Sequence, residues 1–208
     1  MTKNIILISG KKGSGKSTFT ELLVNRLAGK VEVYAMATLL KKVVSTITGC
    51  DIKKLEDGEF KNKLSPYTVD VYGQMKNLTY RECLLHFGKM LRYDNNTIFC
   101  DDVKMKMRRS DSDYFIVPDL RERIELDEIY ELGRNYEIPI ITIRITRDTK
   151  SDSTSNDKTE IDLDNYVGWD FNVDNNNKRI SDLNIAINHI VKTAGLNTNK
   201  PFVEQKLF

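Results

Sequence analysis

Short apolar, β-branched runs alternate along this chain with stretches whose apolar positions recur every three or four residues. That alternation points to a parallel sheet with helices packed on its faces. Strands are expected at residues 4–9, 31–35, 114–117, 139–145 and 171–173. The first, third and fourth are nearly continuous apolar runs, as strands covered on both sides should be. Helices are expected at residues 16–28, 39–48, 80–92, 97–108, 121–136 and 180–192. Gly29 and Gly133 stand near helix ends, where a left-handed backbone is often needed. No internal repeat is present.

Two segments break the rhythm. Residues 51–79, rich in Lys, Glu and Tyr, read as a long helical insertion between the second and third strands. Residues 149–168 are polar and aperiodic, so they form either an active-site lid or a surface loop.

Composition narrows the class. The 208 residues, with 40% hydrophobic and 30% charged positions, suit one globular domain able to bury a core without staples. A net charge of +2 is too small to argue for a nucleic-acid surface. Cys50, Cys83 and Cys100 form no CxxC pair and suit reduced thiols. No apolar stretch is long enough for a membrane span, and no signal peptide is evident, so a cytoplasmic protein is expected.

The strongest chemistry lies in Gly10-Lys11-Lys12-Gly13-Ser14-Gly15-Lys16-Ser17, which follows an apolar strand and opens a helix. This is the strand–GxxxxGK[ST]–helix context of a phosphate-binding loop. Its glycines let successive N–H groups turn inward on an anion, and the helix adds its positive end. Gly10, Lys12, Gly13, Ser14, Gly15, Lys16, Ser17 and Thr18 are therefore the expected ATP-binding set. Lys16 is expected to bridge the β- and γ-phosphates and act in catalysis, and Ser17 to ligate Mg²⁺.

The rest of the chain must say what kind of P-loop protein this is. No Asn-Lys-x-Asp segment for reading guanine is present, and Asp70-Val71-Tyr72-Gly73 lacks the buried strand that a GTPase switch needs before it. A small-molecule kinase needs further cations to hold two anionic phosphates together. Arg81, Leu85, Gly88 and Arg92 share one helical face. Gly88 in a helix interior costs about 1 kcal/mol relative to Ala, which close approach of a ligand or backbone would rationalise; the plain alternative is a solvated, salt-bridged face. The third strand ends in Val117-Pro118-Asp119-Leu120-Arg121, and such carboxyl ends bind ligands. Asp119 is placed to hold Mg²⁺ or orient the attacking group, and Arg121 to neutralise phosphate charge. Alternatively, Asp119 caps the next helix and Arg121 is a surface charge.

The order of these segments, with Ala37-Thr38-Leu39-Leu40-Lys41, Thr79–Gly88, Lys158-Thr159-Glu160 and Trp169–Asn175, resembles the bacteriophage deoxynucleoside monophosphate kinases. The resemblance runs from Ile5 to about Ile190. It implies an α/β P-loop NTPase fold of three layers, with a mostly parallel five-stranded sheet, a helical acceptor-binding insertion and a lid loop. As a single kinase domain over residues 1–208, it would have its core at about 1–50 and 93–195, its insertion at about 51–92 and its lid at about 147–170. The implied reaction is γ-phosphoryl transfer from ATP to a deoxynucleoside monophosphate, with Mg²⁺. Lys41, Arg81, Gly88, Arg92, Arg121 and Glu125 would lie on the acceptor side, and Arg147 at the lid base against adenine. Leu85 and Leu120 depart from the family pattern, and the lid has no internal arginine, leaving Lys150, Lys158 or no residue to serve there. The resemblance leaves a homodimer open. A kinase of another small metabolite and a nucleotide-dependent switch or ATPase remain the rival readings.

Overall fold

The computed structural model describes residues 3–148, 162–177 and 179–199, so Lys150, Lys158 and most of the expected lid lie outside the described residues. The chain forms two compact units, Met1–Ala35 with Val103–Phe208, and Met36–Asp102. Among the described residues no helix is long and apolar enough to cross a membrane.

The first unit is built on β1 (Asn4–Ser9), α1 (Lys16–Arg26), β2 (Val31–Val33), β5 (Tyr114–Leu120), α5 (Arg123–Tyr136), β6 (Ile140–Thr146), β7 (Phe171–Asp174) and α6 (Ile180–Thr193). Its five strands lie in the order β2-β5-β1-β6-β7, every pairing parallel. The first strand is central, and the chain turns to opposite sides of it. That makes its carboxyl end the topological switch point, where such sheets bind ligands.

Alternation explains why β1 sits in the middle. Ile6 and Ile8 join Phe19 and Leu23 of α1 and Leu183, Ile187 and Ile190 of α6 in one core. Ile5 and Leu7 point the other way and are also fully buried, as are Phe115 and Val117 of β5 and Leu126 and Ile129 of α5. Each such side chain contributes about 1.5–3 kcal/mol by leaving water.

The parallel ladder breaks once. Leu7 pairs with Val117 but Ser9 with Leu120, so Pro118 and Asp119 stand opposite Ile8 alone. Pro118 has no N–H to give the ladder, and a bulge is where an inner strand tolerates it. The bulge gives Asp119 its place at the strand end.

The second unit contains α2 (Thr38–Thr48), two 3-10 turns at Ile52–Glu56 and Phe60–Asn62, β3 (Leu64–Val71), β4 (Gln74–Thr79), α3 (Tyr80–Asp94) and the start of α4 (Ile98–Arg109). Residues 51–79 are thus not a helical insertion: most of them form an antiparallel hairpin. The β-branched and aromatic Tyr67, Thr68, Val69 and Val71 favour strand, and Tyr72 and Gly73, both at positive φ, make the turn. The Asp70–Gly73 spacing is this turn, with Gly73 N–H donating to Asp70 Oδ1 at 2.6 Å. The unit is wider than residues 51–92 because α2 and α3 share a core with the hairpin through Val44, Leu55, Leu78, Cys83 and Phe87.

Smaller differences have local causes. α5 begins at Arg123 rather than 121, because Glu122 is its N-cap. Gly133 does not end that helix; Glu137 takes the left-handed position at φ 54°. A Cβ at 133 would crowd the Ile140 side chain and the Ile138 carbonyl oxygen, the latter at 3.1 Å, so glycine eases this close approach.

Candidate active site

The loop after β1 folds as its glycines allow. Gly10, Gly13 and Gly15 have φ of 155°, 78° and 99°, a range in which L side chains are strained. Space excludes side chains as well. A Cβ on Gly10 would land on the Ile145 carbonyl oxygen, and one on Gly15 on Asn175 Nδ2. Asn175, buried just after β7, donates from Nδ2 to the Ser14 carbonyl at 2.8 Å and so pins the loop.

Lys16 turns back over this loop and donates to the carbonyls of Gly10 and Lys11, the latter at 2.8 Å. Gly15 caps α1 without a side-chain hydrogen bond, and no acidic residue occupies the first turn. The helix therefore presents its N–H groups and positive end with no carboxylate of its own to neutralise them. Ser17 and Thr18 are exposed on that turn, as are Lys12 and Gly13. Ser14 is buried, and its Oγ has no hydrogen-bond partner.

At the end of β5, Asp119 and Arg121 are both half-buried. Asp119 does not cap the next helix, since Glu122 does. Glu125, 5% exposed, turns inward: Oε2 accepts from the backbone N–H of Arg121 at 2.8 Å and of Glu122 at 3.2 Å. Burial pushes its carboxyl up from 4.5 to about 7; the two N–H groups pull it down, and the charge of Asp119 pushes it further up. Glu125 thus holds the main chain that carries Arg121.

Arg147, just beyond β6, donates from Nη1 to the Gly13 carbonyl at 3.0 Å, while its Nε is buried without a partner. It lines a cavity of about 300 Å³ beside the loop, together with Lys11, Arg144, Asp164, Tyr166 and Trp169. The structure thus brings together, in the first unit, the loop residues, Asp119, Arg121, Glu125 and Arg147.

Lys41, Arg81, Gly88 and Arg92 belong to the second unit. Lys41 Nζ pairs with Glu56 at 2.7 Å. Arg81 Nε donates to Asn62 Oδ1 at 3.0 Å, and the Arg92 guanidinium lies 4.8 Å from the Phe99 ring centre. A Cβ on Gly88 would meet only Leu40 Cδ2, at an ordinary 3.5 Å, so no protein contact demands glycine there. Thr79 and Glu82 form the capping box that starts α3.

Sequence reasoning missed Lys11, Arg144, Asp164 and Asn175. A signal existed for one: Arg144 is the single charge in the run Ile140-Ile141-Thr142-Ile143-Arg144-Ile145. Its Nη1 donates to Ser9 Oγ at 2.8 Å, and Ser9 Oγ in turn donates to the Leu120 carbonyl at 2.8 Å. Arg144 therefore ties together the ends of the three central strands.

Magnesium binds readily with one or two protein oxygens, keeping waters and phosphate oxygens as its other ligands. The hydroxyl of Ser17, on an exposed first helical turn, and the carboxylate of Asp119, at a strand end, fit that donor set. Among the described residues no cluster of three or more His, Cys, Asp or Glu is placed to hold a metal.

Comparison with known proteins adds a family. The sequence model of the phosphomevalonate kinase family matches residues 8–135. No curated protein is significantly similar to the sequence. Among solved structures, the tunicamycin resistance protein of Deinococcus radiodurans is similar with a TM-score of 0.49 and 10% identity, over 95% of this chain and 99% of that one. A sugar kinase from Janibacter sp. HTCC2649 gives 0.48 and 10%, over 93% and 95% of the two chains. A gluconokinase from Sinorhizobium meliloti 1021 gives 0.45 and 10%, over 93% and 96%.

Proposed function

We propose that this chain, which belongs to the phosphomevalonate kinase family, transfers the γ-phosphoryl group of ATP to the phosphate of a deoxynucleoside monophosphate. The observation that carries the kinase reading is the phosphate loop itself. Its three glycines at strained φ, Lys16 folded over it and an uncapped helix start form a cradle for a polyphosphate.

In-line transfer between phosphates needs little covalent help from the protein, so positioning and charge stabilisation do most of the work. Lys16 would move from the loop carbonyls to the β- and γ-phosphates. Bound Mg²⁺ would neutralise charge on the transferring group, with Ser17 and Asp119 as its protein oxygens. Arg121 would stabilise charge building on the equatorial oxygens, held in place by the grip of Glu125 on its main chain. Lys41, Arg81 and Arg92 are assigned to the acceptor phosphate and sugar, and Arg147 to the donor base.

The deoxynucleotide acceptor is supported by the ordered resemblance of segments from Ile5 to about Ile190. One observation favours a second reading: the family match suggests phosphomevalonate as acceptor. The two share their chemistry, because each is a phosphomonoester that becomes a phosphoanhydride. A coupled ADP-release assay with ATP and Mg²⁺ separates them, using dNMPs, NMPs, phosphomevalonate and unphosphorylated sugars as acceptors. Turnover that depends on a dNMP supports the first reading, and turnover with phosphomevalonate alone selects the second. ADP release that no acceptor stimulates refutes both.

A further inference from the structure

Beside the phosphate loop, one carboxylate holds two cations that a nucleotide would want. Asp164 Oδ1 accepts from Arg144 Nη2 at 2.6 Å, and Asp164 Oδ2 pairs with Lys11 Nζ at 3.0 Å. Lys11 belongs to the loop, and Arg144 reaches Ser9, the last residue of β1 before it. The Arg144 side chain is only 11% exposed, and those of Lys11 and Asp164 about 30%. The three line the 300 Å³ cavity, with Tyr166 and Trp169 as its aromatic wall; the rings meet edge to face at 5.0 Å, and Arg144 lies 5.7 Å from Trp169.

We infer that Lys11 and Arg144 form a second binding site for nucleotide phosphate, which Asp164 occupies as an internal anion until phosphate displaces it. Arg144 has a structural role through Ser9 and Trp169, which offset part of its desolvation, but a loop lysine that needed merely to be neutral would be better hydrated outside. A second cation pair suits polyphosphate, whose several negative charges exceed what Lys16 and the helix start neutralise. Asp164 keeps these cations apart in charge and oriented while no nucleotide is bound. The inference rests on the reading of the loop as a polyphosphate cradle, and on no choice of acceptor.

Trp169 is the only tryptophan of the chain, so its fluorescence reports on this cavity directly. The test titrates the full chain with inorganic tripolyphosphate and with ATP, following Trp169 emission and calorimetric heat. Asp164→Asn removes the competing charge and keeps the shape. It is expected to tighten tripolyphosphate binding about twofold to fivefold, the scale of a partly exposed ion pair, with the gain shrinking as salt rises. Adding Arg144→Gln to Asp164→Asn should abolish most of that gain. Lys11→Gln alone should weaken binding by a similar factor, which keeps the idea testable if a position-164 variant melts early. Unchanged or weaker binding by a folded Asp164→Asn chain overturns the proposal, as does a gain that survives loss of both cations. Polyphosphate binding needs no acceptor: a chain that shows these shifts yet forms ADP with no acceptor loses the kinase reading and keeps this one.

Discussion

Replacing Glu125 with glutamine should flatten the pH dependence of folding stability. The carboxyl of Glu125 is 5% exposed and its pKa rises from 4.5 to about 7, burial being the largest cause. Between those values the folded chain keeps a proton that the unfolded chain has released, so stability falls as pH rises and the loss is complete above about 7. At about 1.4 kcal/mol per tenfold change, the shift amounts to about 3 kcal/mol lost between pH 4.5 and 8. Glutamine keeps an acceptor oxygen for the N–H groups of Arg121 and Glu122 and remains a good capping-box residue. It keeps the volume and loses the charge. At pH 5 the variant should lie within about 1 kcal/mol of the parent, the worth of one imperfect hydrogen bond. By pH 8 it should be about 2–3 kcal/mol more stable relative to the parent than it was at pH 5. Urea unfolding of both chains at pH 5, 6, 7 and 8, without metal or nucleotide, measures this. Parallel loss of stability in the two chains would falsify the assignment of the buried proton to Glu125.

Lys16→Ala should lower kcat by about 10²–10⁴, as loss of a main charge stabiliser does; near-normal turnover with the best acceptor would remove Lys16 from the site. Gly15→Ala places a side chain at φ 99° and onto Asn175, straining the loop by at least about 1–2 kcal/mol. Its ATP affinity should fall more than about tenfold while the melting temperature drops only a few degrees. Calorimetric ATP affinity close to the parent value would contradict the loop geometry. Gly88→Ala has room, with Leu40 at 3.5 Å, and should raise unfolding stability by about 0.5–1 kcal/mol. In that more stable chain, a raised KM for acceptor with an unchanged KM for ATP marks acceptor approach at Gly88, and two unchanged KM values exclude it.

The sheet was legible because its strands are buried on both faces. Continuous runs such as Ile5–Ile8 and Phe115–Val117 have no helical alternative of that length, and the helices announce themselves by the 3.6-residue period. The segment 51–79 was not legible for the opposite reason. Its hairpin is half exposed, with Leu64, Tyr72 and Met75 facing water, so the alternation that marks a strand is weak. Its core partners, Val44 of α2 and Cys83 and Phe87 of α3, flank the segment on both sides, so the pattern within it does not reveal them. The start of α5 slipped by two residues because its cap is Glu122, a residue type with little capping preference, working through Glu125.

The site divides along a similar line. The phosphate loop could be read because its chemistry is local: glycines, a lysine and a hydroxyl at fixed spacing impose one backbone path whatever surrounds them. Asn175, Arg144 and Asp164 could not be, because each acts through a residue more than ten positions away: Asn175 on Ser14, Arg144 on Ser9, Asp164 on Lys11. Position alone gives these residues their meaning, since the sheet lays β6 beside β1 and β7 beside β6. The lone arginine of β6 was the trace they left. Burying a guanidinium in an apolar strand is costly enough that its position calls for partners, and those partners lead from the strand ends to the loop lysine that the motif leaves unassigned. The motif identifies the cradle; the buried charge beside it identifies what the cradle must compete with before phosphate can enter.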